Sequence, residues 1–293
     1  MRKSKIGFLL GVLVSLGLPA IAPAADGKSS PAKLSAAQIV QKHLAARGGT
    51  QAWAGVQSMV WNGKMDLGYG DAVARSRRYL TASASHNGKG ARGLPPWAAT
   101  KNPDRKQLQV PFVLEMKRPG KSRVELEFSG KTAVQVFDGA KGWLLRPYLN
   151  RDDWEPFSPE QAKAQQQDKW ELGGPLMDYA ARGTTVSVVS MDKVEGHDAY
   201  QLALTQKSGE VQHVWVDAKS FLDVKVEGTP RRMDGKLRAV FVTEREFHQV
   251  QGVMVPFVLE TAVDGSTDTH RMVIEKVALN PRLADARFTK PKT

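Results

Sequence analysis

The sequence predicts a mainly β protein, an antiparallel barrel or strongly curved sheet preceded by one helix and interrupted by a helical insert. Three observations predict it. From Val56 onward apolar and polar residues alternate with a period of two; turn pairs such as Ser129-Gly130, Asp138-Gly139, Glu195-Gly196 and Ser208-Gly209 separate the alternating runs; and only two stretches carry a helical pattern.

The chain of 293 residues opens with a secretory signal rather than with structure. Arg2, Lys3 and Lys5 form a basic start, Ile6 to Leu18 is an apolar run too short to span a bilayer, and Ala22-Pro23-Ala24 places small residues where a signal peptidase reads. Cleavage is expected between Ala24 and Ala25, which assigns the protein to the periplasm, and residues 25–33 read as a flexible leader. Three of the net +12 charges lie in the signal, leaving +9 on the mature chain. Such a surface attracts anionic partners, and export makes nucleic acid the least suitable of them. No cysteine occurs, which excludes disulfides, thiolate chemistry and lipidation at the cleavage point.

Residues 34–293 are read as one domain. Ser35 is placed to cap a helix in which Ile39, Val40, His43, Leu44 and Arg47 recur on one face, and Gly48-Gly49 stops it. Alternation follows. Val124, Leu126 and Phe128 interleave with Arg123, Glu125 and Glu127; Tyr200, Leu202 and Leu204 repeat the pattern; and Leu222, Val224 and Val226 face away from Asp223, Lys225 and Glu227. The spacing predicts about a dozen strands, the number of a barrel or strongly curved sheet. Residues 85–106 read as a long mobile loop. The hexapeptide Val110 to Glu115 recurs identically at Val255 to Glu260, and is read as two strands that each begin with a proline at an edge position.

The insert spans 158–182. Ser158-Pro159-Glu160 starts a helix, Gly173-Gly174-Pro175 breaks it, and Leu176 to Arg182 is expected to form a second short helix. Trp170, Leu172, Leu176, Met177 and Tyr179 give this pair an apolar side, so it is read as a lid over the sheet. Under it, Trp61, Leu126, Phe128, Phe137, Trp143, Tyr200, Leu202 and Trp215 are the candidates to line an apolar cavity, with core packing as the alternative role for each.

Chemical motifs are few. The six histidines show no metal-ligand spacing, neither a Gly-x-Ser-x-Gly nor a His-Glu-x-x-His motif occurs, and Gly120-Lys121-Ser122 lacks the earlier glycine of a phosphate loop because position 115 is Glu115. Glu125 and Glu127 read as a solvated sheet face. Arg75, Arg77 and Arg78, with Arg231 and Arg232, read as a basic rim. No catalytic residue, metal or cofactor is assigned.

Ala37-Gln38-Ile39-Val40 through Gly48-Gly49, Val136-Phe137-Asp138-Gly139 with Gly142-Trp143, Val194 to Tyr200, Trp215-Val216-Asp217, Val250-Gln251-Gly252-Val253, and Leu279-Asn280-Pro281 through Phe288-Thr289-Lys290-Pro291 occur in an order that resembles the outer-membrane lipoprotein sorting and carrier family, the LolA-like proteins. The resemblance covers nearly the whole mature chain. It implies an unclosed antiparallel barrel whose helices cover an apolar cavity, and a non-enzymatic monomer that shields the acyl chains of a lipoprotein or other lipid. Partners implied are an inner-membrane donor, an outer-membrane acceptor and, transiently, a membrane surface. The same fold also serves as a sensor or scaffold that binds a protein partner.

Overall fold

The computed structural model describes residues 34–69, 107–147, 150–167, 172–233, 235–266 and 269–290, all within one compact unit. The signal, the leader and the 85–106 loop lie outside these residues, as do Arg75, Arg77 and Arg78. Helix α1 (Ala36–Ala46) starts on a capping box: Gln38 N donates to Ser35 Oγ (3.3 Å) and Ser35 N to Gln38 Oε1 (2.9 Å). Its buried face is Ile39, Val40 and His43. A sharp corner leads into α2 (Thr50–Ala54), which delivers Trp53, fully buried.

Thirteen strands follow among the described residues. The first six are β1 (Ser58–Tyr69), β2 (Gln107–Lys117), β3 (Lys121–Phe128), β4 (Lys131–Phe137), β5 (Gly142–Arg146) and β6 (Arg151–Pro156). After helix α3 (Pro159–Gln167) come β7 (Thr185–Val194), β8 (His197–Thr205), β9 (Val211–Asp217), β10 (Asp223–Met233), β11 (Lys236–Val250), β12 (Val253–Val263) and β13 (Thr269–Leu279). All pairings are antiparallel, and the sheet order is β6-β5-β4-β3-β2-β1-β13-β12-β11-β10-β9-β8-β7. Each strand therefore pairs with its sequence neighbours, and β13 pairs with β1. The single interruption in this cycle is between β6 and β7, the two edges. The sheet is an unclosed antiparallel barrel, and the chain between β6 and β7 carries the insert.

One face of the sheet is apolar. A first cluster joins Trp53, Met59, Trp61, Phe112, Leu114, Met116, Val253, Val255 and Leu259 with Leu172 and Met177 of the insert. A second joins Ile39 and Val40 of α1 to Leu202, Leu204, Val214 and Val216, with Leu176 of the insert. The repeated hexapeptide supplies equivalent positions on strands β2 and β12, which flank the β1–β13 pair; both are interior strands, so the edge position expected for Pro111 and Pro256 is not what the sheet order gives. Phe112 and Leu114, like Phe257 and Leu259, face the first cluster, whereas Glu115 pairs with Arg287 and Glu260 with Arg245.

The corner after α1 needs glycine. Gly48 has φ +101°, and a Cβ there would lie 2.2 Å from the carbonyl oxygen of Gly252 in the β11–β12 turn. Gly49 has φ +90° with open space around it. Gly48→Ala is expected to cost about 2–4 kcal/mol and Gly49→Ala about 1–2 kcal/mol, because both pay for a left-handed backbone but only the first meets a carbonyl. Urea midpoints of the two variants check the ranking; equal midpoints would show that the corner does not seat tightly on that turn.

Candidate functional site

The insert covers the apolar face with side chains rather than with strand pairing. Ser158 caps α3 as Ser35 caps α1, with Ser158 N donating to Gln161 Oε1 (2.9 Å) and Gln161 N to Ser158 Oγ (3.2 Å), and Gln165 meets Gln135 of β4 at 3.2 Å. The expected second helix over Leu176 to Arg182 is not formed. Residues 175–183 are successive turns, closed by bonds such as Met177 N to Gly174 O (3.2 Å) and Thr184 N to Tyr179 O (3.0 Å). Asp178 has φ +53°, a left-handed conformation that an α-helix excludes. Leu172, Leu176 and Met177 are nevertheless buried and Tyr179 packs against the second cluster, while Trp170 lies outside the described residues.

Register decides where the remaining cavity candidates stand. Trp61, Leu126 and Leu202 belong to or pack on the two clusters, Phe128 shares Leu126's side of β3, and Tyr200 stacks on Phe221 with centroids 6.3 Å apart. Phe137 stacks on Phe157 at 6.3 Å. Two tryptophans occupy the other face. Trp143 is opposite Val136, one residue out of phase with Phe137. Trp215 lies between Val214 and Val216, so alternation points it away from α1: its Nε1 donates to Asp192 (2.8 Å), and Lys225 Nζ sits 4.5 Å from its ring centroid.

Beneath α1 the apolar face contains a polar cluster. His43 and Arg47, one helical turn apart, meet Asp223 of β10 and Glu244 of β11. Arg47 Nη1 forms a short ion pair with Asp223 Oδ2, and Arg47 Nε donates to Met254 O (3.0 Å). The guanidinium carbon lies 5.2 Å from the Trp53 ring centroid and 5.5 Å from that of Phe247. His43 Nδ1 is 3.0 Å from Phe221 O and 3.4 Å from Asp223 Oδ1. Arg47 and Asp223 are only 3% and 1% exposed.

Alternation along Leu222 to Glu227 placed Asp223 outward beside Lys225, and the structure corrects this. The β9–β10 ladder slips between Asp223 and Lys225, so Asp223 pairs with Val216 and shares its inward face. His43 and Arg47 stand on the helical face read from the sequence, but no local signal marks their partner Asp223, 176 residues beyond Arg47.

The buried groups titrate abnormally. Burial lowers the His43 pKa against the attraction of Asp223. Burial, with Asp223 nearby and Arg47 opposing, pushes the Glu244 carboxyl up to about 8. Its Oε2 has no hydrogen-bond partner. Glu244 also borders a hollow of about 330 Å³ whose wall includes Val194, Leu222, Val224 and Phe247. None of the cavity candidates named from the sequence lines that hollow. Among the described residues no group of three or more His, Cys, Asp or Glu side chains could hold a metal ion, and no helix is long and apolar enough to cross a membrane.

An unclosed meander barrel with its gap crossed by an insert defines the class of protein at the level of fold. No family model matches the sequence, and no curated protein does. Solved structures do. A LolA superfamily protein from Nitrosomonas europaea is 15% identical, with 88% of this chain covering 98% of that one at a TM-score of 0.51. A putative outer membrane lipoprotein-sorting protein domain from Vibrio parahaemolyticus is 13% identical, 85% against 94%, at 0.50. A DUF1329 family protein from Desulfovibrio piger is 11% identical, 87% against 97%, at 0.52. The chain has the LolA-like fold.

Proposed function

We propose that the protein is a periplasmic lipid carrier or lipoprotein-sorting protein that shelters acyl chains between the apolar sheet face and the insert. One observation carries the reading: the insert meets both apolar clusters through Leu172, Leu176 and Met177, while the backbone bonds within its described residues after α3 are local turns. A cover held by side chains can lift without breaking the sheet, and what it uncovers is apolar. The fold likeness and the signal-like first 24 residues support the same reading.

The test is to purify the chain from Ala25 onward, extract it and analyse the extract by mass spectrometry, with displacement of a fluorescent fatty acid as the second readout. Co-purified acylated species and probe binding are expected; recovery of neither overturns the reading. Leu176→Ala is expected to weaken the cover by about 2–4 kcal/mol and to speed probe release. Its denaturation midpoint should fall less than that of Leu202→Ala, in the sheet beneath. Equal losses would make the insert part of one inseparable core.

A protein-binding role is the second reading, favoured by edge strand β7, where Val188, Val189 and Met191 are 40%, 52% and 50% exposed. An unpaired apolar edge can accept a partner's strand. Pull-down of a stable partner by lipid-free protein, lost in Val189→Lys, is its signature.

A further inference from the structure

The β10–β11 hairpin outreaches the sheet that carries it. Strand β10 pairs with β9 only from Asp223 to Val226, and β11 pairs with β12 only from Val240 onward. Beyond those limits Arg231, Arg232 and Met233 pair with Arg238, Leu237 and Lys236 and, among the described residues, with no other strand. The result is a two-stranded finger that extends about 13 Å past the Val240–Val263 pair, at about 3.3 Å per residue. Its two-residue turn ends in Gly235, whose φ of +77° suits a hairpin this tight.

Four basic residues of the finger, Arg231, Arg232, Lys236 and Arg238, stand against one acid, Asp234. Arg231 is directly opposite Arg238, a like-charge pair that opposes the pairing of the two strands. Other arginines have carboxylates to meet: Arg245 lies between Glu195 and Glu260, Arg287 reaches Glu115, and Arg146 and Arg151 share Glu155. Among the described residues none of the four finger cations is ion-paired. Arg232 Nη1 donates to Gly235 O (2.9 Å), and the Arg238 guanidinium lies beside Gly265 of the β12–β13 turn. Leu237, on the same face as Arg232, is 67% exposed, more than any other large apolar side chain among the described residues.

We propose that this finger docks the protein on a bilayer surface rich in anionic phospholipid, with its cations on the lipid phosphates and Leu237 in the interfacial layer. Charge and polarity are complementary there. Phosphates neutralise Arg231 and Arg238 together and lift their mutual repulsion, and the boundary with the acyl chains takes in an apolar side chain that the fold leaves in water. Each basic side chain held near such a surface strengthens partitioning about fivefold. The inference rests on the carrier reading for its purpose, since a carrier must meet the membranes it serves, but its geometry belongs to the hairpin tip and not to the insert.

The experiment is co-sedimentation of the mature protein with vesicles of phosphatidylcholine, alone or with an equal part of phosphatidylglycerol. Binding to the anionic vesicles should be at least tenfold tighter and should weaken as salt is raised. Arg231→Gln combined with Arg238→Gln should weaken it about 25-fold, and Leu237→Gln about fivefold. Lys219→Gln, which removes an exposed cation at the opposite end of the sheet, should change it less than about twofold. All these side chains lie outside the two apolar clusters, so urea midpoints and fatty-acid displacement should stay at the parent's values. The proposal is overturned by no binding to anionic vesicles, by equal binding to both kinds, by an unchanged double variant, or by an equal loss in Lys219→Gln. Capture of an acidic protein through the finger without vesicle binding overturns it too. Failed vesicle binding with fatty-acid displacement intact removes the docking surface and leaves the carrier reading standing; vesicle binding without fatty-acid displacement does the reverse.

Discussion

Asp223→Ala is expected to lower the unfolding free energy by about 3–5 kcal/mol, a loss set by the charge it strands rather than by the contact it removes. Arg47 is 3% exposed, and without Asp223 its guanidinium keeps the Met254 carbonyl, the faces of Trp53 and Phe247, and the neighbouring Glu244, whose carboxyl burial disposes to hold its proton. Guanidinium cannot shed its proton to escape the low dielectric. The double replacement Arg47→Met with Asp223→Leu should recover most of the loss, because removing both members removes the stranded charge too. Urea denaturation of the single and double variants checks this. A double variant as weak as the single one would mean that the pair contributes through its shape and not through its charge balance.

The second large effect is a stability that falls as pH rises above neutrality. Glu244 is pushed up to about 8 in the folded chain from an ordinary 4.5. The folded state therefore holds a proton that the unfolded state releases, and this stabilising contribution is complete below pH 4.5 and lost as pH rises to 8. The whole span is worth about 5 kcal/mol at most. His43 works in the opposite direction: its lowered pKa makes acidification through 6.5 unfavourable, so the two slopes oppose one another in mild acid. Above pH 7 His43 is neutral in both states and Glu244 acts alone. Unfolding free energy should fall by about 1 kcal/mol between pH 7 and 8, then flatten above pH 9. Glu244→Gln should remove that slope and leave the variant more stable than the parent at pH 9. A slope that survives in the variant assigns it to another group.

The sheet was legible because its evidence is local. Alternation along β3 and β8 and the turn pairs between strands depend on residues a few positions apart, and thirteen strands form among the described residues where about a dozen were expected. Helix α1 was legible down to its cap and its buried face. The errors have a common origin in register. Asp223 was read as an outward charge because a ladder slip leaves no mark on the alternation around it. Trp143 and Trp215 were grouped with Phe137 and Leu202 by size and hydrophobicity, although one residue of phase separates the two faces. The stretch from Leu176 to Arg182 has helix-forming residues, yet Asp178 turns left-handed so that Leu176 and Met177 are both buried. Glu244 lies on β11 within a charged run, Glu244-Arg245-Glu246, that gives no hint of its burial. Its environment is built by α1, about 200 residues earlier, and by Asp223 at the open end of the β10–β11 hairpin.

The cyclic strand order has a consequence for how the chain comes together. Strands β1–β6 and β7–β13 are each successive meanders, able to grow by adding the next neighbour. The β1–β13 seam is different, since it pairs Met59 with Leu279 and Trp61 with Val277 across most of the polypeptide. Contacts so distant carry the largest loop-closure cost and reward it last. The two ends of the domain thus act as the clasp that converts two ribbons into one curved wall. A circular permutant that joined those ends and opened the chain at the β6–β7 gap would make every pairing sequential, turning the most distant pairing of the fold into one between consecutive strands linked through α1 and α2.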